Sequence, residues 1–287
     1  MDELTTIGRA RKLLKDAGIT NAPVDVEALA STLGFKVSRK ELEEGEAGIT
    51  FEKRGQKHIC VNEKDPLKRQ RFTIVHEIAH HVLNLPSVHG EIVPADELER
   101  FKGRPPEETL CDLFAAECLV PWNLVQPIAD ELEFNLTNLA KVSDQFQASR
   151  ACVASRLVQA SEDCLAFVVA EDGVIQYSVV SKALREAKIW IQKGIELPRN
   201  SAAANAIRND DGGIADAELD GTDWSSSDAA LNFSCFEEAI YYAPWKQTQS
   251  ILVFEKFSIR PAVKAYESSR DEGLLQELDG NLPWPKR

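Results

Sequence analysis

Residues 72–84 read FTIVHEIAHHVLN, with two histidines four apart and a glutamate directly after the first. A helix turns about 100° per residue, so His76 and His80 share one face, one turn apart, where both imidazoles reach a single ion. Glu77 points beside that ion. Phe72, Ile74, Val75, Ile78, Ala79, Val82 and Leu83 surround the pair at helical spacing, and no proline or glycine interrupts Phe72 to Leu85, which predicts a largely buried helix. Polar groups on such a helix need partners. A histidine pair satisfied by core hydrogen bonds is the plain alternative to a metal site.

A catalytic metal usually takes three protein ligands and keeps one position open. The long HExxHxxGxxH form is excluded here, because Leu83 stands at its glycine and Pro86 at its third histidine. The third ligand must then be a carboxylate from a neighbouring helix. Residues 107–120, EETLCDLFAAECLV, offer Glu107, Glu108, Asp112 and Glu117. Glu108 and Asp112, four apart, form one stripe, while Glu117 faces the opposite way. Ala115 and Ala116 are small enough to let this helix lie against the histidine helix. Glu108 is therefore assigned to the metal, and Asp112, one turn on, to the other ring N–H of a ligating histidine.

HEIAH, then E-x-x-x-D, then FAAECLVP resembles the ImmA/IrrE family of metallo-endopeptidases, and the Glu–Asp pair is similar to the gluzincin arrangement. The resemblance covers residues 1–125, including VDVEALASTLGFKV and KHICVN; family members often carry asparagine where this chain has Asp112. It implies His76, His80 and Glu108 as ligands and Glu77 as catalytic acid/base. It also implies a protein substrate: a cognate transcriptional repressor, of helix-turn-helix type and encoded nearby, whose cleavage derepresses stress-response, mobile-element or phage genes. Zinc is the expected ion, although such ligands also accept manganese or other divalent cations. For the oxyanion, His58, His81, His89 and Arg71 are all candidates. The segment His58, Ile59, Cys60, Val61 is expected to be an exposed edge strand along which an extended substrate lies.

The expected architecture is α+β: a zincin-like metallopeptidase domain at 1–125, a helical, helix-turn-helix-like segment at 126–160 and an α/β domain at 161–287 with a sensory or substrate-selecting role. Residues 3–17 and 24–33 read as helices, and GFKVSRKEL, AGITFEK and KHICVN as strands. A polar connection runs from Pro86 to Pro106. Beyond Cys164, CLAFVVA and VIQYSVV form a hairpin, a helix runs from Lys182 to about Gln192, 209–228 is an acidic loop, and AIYYA and SILVFEKF are strands.

The 287 residues are 44% apolar, enough for a sizeable core without staples. Six irregularly spaced cysteines without CxxC, and a charged N-terminus, point to a reducing, cytoplasmic setting. No apolar run approaches the length that spans a bilayer. A net charge of −13 argues against phosphate-backbone binding. The rival readings are a DNA-binding regulator using LTNLAKVSDQFQASRACVASRLVQ and a non-catalytic metal-binding interaction protein. Residues 122–160 carry three cations against four acids, fewer positive charges than a recognition helix brings.

Overall fold

The computed structural model describes residues 2–43, 45–86 and 105–257. Asp2 accepts a hydrogen bond from the Thr5 N–H (2.7 Å) and starts α1 (Glu3–Asp16). Asp25 caps α2 (Val26–Thr32) in the same way. Three strands follow: β1 (Phe35–Lys40), β2 (Gly48–Lys53) and β3 (Gln56–Asn62). They form a sheet in the order β1-β3-β2, with β3 parallel to β1 and antiparallel to β2.

This order corrects one expectation. The segment His58–Val61 lies on the central strand, whose N–H and C=O groups are engaged on both sides, so it offers no edge to a peptide. Among the described residues the edges of this sheet are β1 and β2. Strand order depends on which segments meet in space, which the local alternation of KHICVN does not encode.

Helix α3 (Leu67–Leu83) then packs on the sheet, and α4 (Pro106–Leu119) lies between α3 and α1. The expected Pro86–Pro106 connection falls mostly outside the described residues. Helices α5 (Trp122–Glu131), α6 (Leu136–Phe146) and α7 (Arg150–Ala160) follow and share the same apolar core. That core runs from Ala10 through Ile74, Ile78, Phe114 and Leu119 to Phe146 and Leu157.

The remaining elements are β4 (Leu165–Glu171), β5 (Val174–Val180), α8 (Lys182–Glu186), α9 (Ala202–Asn209), β6 (Ile214–Asp220), α10 (Gly221–Trp224), β7 (Phe233–Tyr242) and β8 (Gln247–Lys256). The second sheet is antiparallel throughout, in the order β5-β4-β8-β7-β6. The expected α/β domain is therefore an antiparallel sheet with short helices, built from hairpins rather than parallel crossovers. Alternation on β4 places Leu165, Phe167 and Val169 in the first core and Ala166, Val168 and Ala170 in a second one, beneath α8 and α9. Neighbours Glu237 and Glu238 of β7 divide likewise: Glu237 accepts from Ala202 N at the start of α9, and Glu238 from Leu136 N at the start of α6.

Two further expectations change. Helix α8 ends at Glu186, followed by Lys188 in the left-handed region (φ 61°), instead of running to Gln192. Strand β6 occupies part of the stretch read as an acidic loop. Its outward positions hold Asp216, Glu218 and Asp220, and its inward ones Ala215, Ala217 and Leu219, so alternation is present without strong hydrophobicity.

Candidate metal centre

Helix α3 begins after Pro66 and closes at Asn84, whose left-handed conformation (φ 55°) terminates it. Ile74, Val75, Ile78 and Ala79 are fully buried and lock its rotation, so His76, Glu77 and His80 are held inside as well. Helix α4 starts at Pro106, with Glu107 and Glu108 in its first turn, where a carboxylate suits the helix dipole. Packing of α4 on α3 brings Glu108 to the histidines.

His76 Nε2 lies 3.0 Å from Glu108 Oε2 and 3.1 Å from His80 Nε2, and His80 Nε2 lies 3.4 Å from Glu108 Oε1. On the far side of the ring, His76 Nδ1 is 3.0 Å from Asp112 Oδ1. A carboxylate only accepts, so His76 donates through Nδ1 to Asp112, and Nε2, equally close to Glu108, is the nitrogen at which a bound cation would take the place of the proton. His76 Nε2, His80 Nε2 and the Glu108 carboxylate thus converge as three atoms that can ligate one cation. Among the described residues, His76, His80 and Glu108 are the one group whose ligand atoms come within 4.8 Å of one another. Two imidazoles and a carboxylate match a zinc-type donor set.

The electrostatics agree with this accounting. Burial works against a charged His76, but the Asp112 and Glu108 carboxylates outweigh it and raise the imidazole to about 9. Contact with His76 and then His80 holds Glu108 far below the usual carboxylate range, despite its burial. Both shifts show that the carboxylates favour positive charge at the imidazoles.

Glu77, 1% exposed, accepts a hydrogen bond from Thr50 Oγ1 at 2.6 Å. Thr50 sits on strand β2 and carried no signal in the sequence, being 27 residues from Glu77 in an unremarkable strand. Glu117, on the opposite face of α4 as expected, is fully buried; it pairs with Arg156 of α7 and with Arg11 of α1 (2.9 Å). The local sequence does not name those partners.

Three of the four oxyanion candidates lie among the described residues, and each makes other contacts. His58 stacks on Phe51 (centroids 5.0 Å apart), and His81 approaches Lys57 Nζ (3.2 Å) and the edge of Phe35. Arg71 donates to the carbonyls of Gln147 (3.0 Å) and Val24 (2.7 Å), and His89 lies outside the described residues. The other cations before the motif are tied down too: Lys68 to Asp144 and Ser143, Arg69 to Asp65, Lys64 to Glu41.

Two histidines one turn apart and a carboxylate from the next helix form a group that could hold a metal ion, with a buried glutamate next to the first histidine in sequence. Residues 30–158 match the family model of the IrrE N-terminal-like domain, peptidase M78, and this domain belongs to the ImmA/IrrE metallopeptidase family. No curated protein matches the chain. Among solved structures, a Mycobacterium tuberculosis transcriptional regulator is similar over 86% of this chain and 76% of its own, with 12% identity and a TM-score of 0.55. At that identity the likeness is one of fold. No helix among the described residues is long and apolar enough to cross a membrane.

Proposed function

We propose that the chain is a metal-dependent endopeptidase that cleaves a transcriptional repressor, with His76, His80 and Glu108 as ligands and Glu77 as proton carrier. The observation that carries this reading is the convergence of two imidazole nitrogens and a carboxylate within 3.0–3.4 Å of one another. A bound zinc or similar divalent ion supplies Lewis acidity, which lowers the pKa of water and polarises a peptide carbonyl. Glu77 takes a proton from the attacking water and returns it to the leaving amine nitrogen. Asp112, through its contact with His76 Nδ1, keeps the ring in the tautomer that presents Nε2. The burial of Glu77, His76 and His80 restricts water at the reacting groups.

The repressor as substrate is an implication of the family resemblance, and the fold likeness to a transcriptional regulator is compatible with a setting in gene control. Direct DNA reading is disfavoured. Helix α7, which would be the recognition helix, has no fully exposed position; Ser155 meets the Tyr177 hydroxyl (2.8 Å) and Arg156 meets Glu117. The cations near α3 are engaged in internal ties instead of forming a free basic face.

The test is incubation of the purified protein with the repressor encoded nearest its gene, with and without chelator. Cleavage at one bond, lost on chelation and restored by zinc or manganese, is the expected result. Cleavage that persists in chelator, or none at all with metal loaded, removes the proposal.

A further inference from the structure

Strand β2 reaches α3 through two residues on one of its faces. Gly48 sits against Thr73, and Thr50 donates to Glu77. Residues i and i+2 of a strand lie about 6.6 Å apart, and residues i and i+4 of a helix about 6 Å along the axis. The two pairs therefore match in spacing, with β2 running along the helical stripe that carries Glu77. A Cβ at position 48 would overlap Thr73 Cγ2 and stand 3.3 Å from the Cys60 carbonyl oxygen, so only glycine admits this approach. One turn further, the absence of a side chain at 48 is what brings the hydroxyl of Thr50 into range.

We propose that Thr50 is a positioning residue for Glu77, its hydroxyl holding one carboxylate oxygen of the proton carrier in place, with Gly48 setting the distance between strand and helix. The inference rests on the peptidase reading above. At 2.6 Å the bond has the length of a charge-assisted O–H···O⁻ contact. A glutamate has three side-chain torsions, and proton transfer needs its carboxylate within a few tenths of an ångström of one place. Thr50 is exposed while Glu77 is buried, so the hydroxyl holds Glu77 from the solvent-facing side of the site. Thr50 meets none of the three ligands and leaves metal binding to them.

The experiment compares Thr50→Val, Thr50→Ser and Gly48→Ala with the wild type. Zinc affinity is measured by titration, and kcat and KM on the repressor encoded nearest the gene. Thr50→Val keeps the shape and removes the donor; kcat falls about 10- to 100-fold, while KM and zinc affinity stay within about 2-fold. Thr50→Ser restores kcat to within a few-fold, and Gly48→Ala lowers it although Thr50 is intact. Wild-type kcat in Thr50→Val, a raised KM with kcat retained, or a Ser variant as slow as Val overturns the proposal. If the wild type binds zinc but cleaves nothing, the peptidase reading fails first. Crystal structures then decide the positioning separately: a Glu77 carboxylate displaced in Thr50→Val supports it, and one left in its wild-type place overturns it.

Discussion

At Glu237, on an inner strand of the five-stranded sheet, the buried carboxylate accepts from Ala202 N (2.8 Å), Ala203 N (3.1 Å) and Ser250 Oγ (2.9 Å). At Glu108, the nearest groups are the Nε2 atoms of His76 and His80, at 3.0 and 3.4 Å, and one of those rings already gives its other proton to Asp112. Glu237 is fully buried and Glu108 largely so. The first is held by backbone and hydroxyl donors and completes a helix N-terminus; the second meets only imidazole nitrogens, groups that can give up a proton and ligate a metal. A carboxylate met by fixed backbone donors is architecture, and one met by two imidazoles is a donor set that suits a cation. Glu117, paired with two arginines, belongs with the first kind.

The largest effect that bears on this contrast is in catalysis. Glu77→Gln preserves size and burial but cannot carry a proton; cleavage of the repressor should drop by about 10³-fold with zinc stoichiometry unchanged. Retained turnover would return the histidine site to plain architecture. Next is the metal's effect on stability. Zinc at about a thousand times its dissociation constant should stabilise the fold by about 4 kcal/mol in denaturant titration. Glu108→Ala should lose that gain, and Glu237→Gln should keep it.

A smaller effect concerns pH. Burial pushes Glu237 up to about 7 from the ordinary 4.5, against the hydrogen bonds from Ser250 and the α9 backbone. Between those values the folded chain holds a proton that the unfolded chain has released, so stability declines as pH rises from about 4.5 to about 7. The decline is on the order of 3 kcal/mol. Unfolding midpoints at pH 5 and pH 8 should differ more in the wild type than in Glu237→Gln; equal differences would remove Glu237 as the titrating group. The smallest effect belongs to an ion pair at the surface: Lys68→Ala, losing Asp144 and Ser143, should cost at most about 1 kcal/mol by the same measurement.

The contrast also explains what the sequence discloses. The histidine helix, the Glu108–Asp112 stripe and the strands β1 to β5, β7 and β8 are legible because periodicity and spacing are local properties. Glu108 reaches His76 because two helices each bury one predictable face. Strand β6 escaped because its alternation sets acids against alanines, a pattern that hydropathy reads as loop. The central place of β3, the arginines around Glu117 and the Thr50–Glu77 bond each join residues far apart in the chain, and no local pattern encodes which distant segment arrives. Glu237 and Glu238 make the same point, since two adjacent acids cap different helices on opposite faces of one sheet.

If the reading is right, His76 and His80 of α3 and Glu108 of α4 close on a divalent cation. Crystals grown with zinc, with diffraction recorded on both sides of the zinc absorption edge, test it most directly. One anomalous peak should appear within bonding distance of His76 Nε2, His80 Nε2 and the Glu108 carboxylate. No peak there, with Glu108 still hydrogen-bonded to a protonated His76, would contradict it.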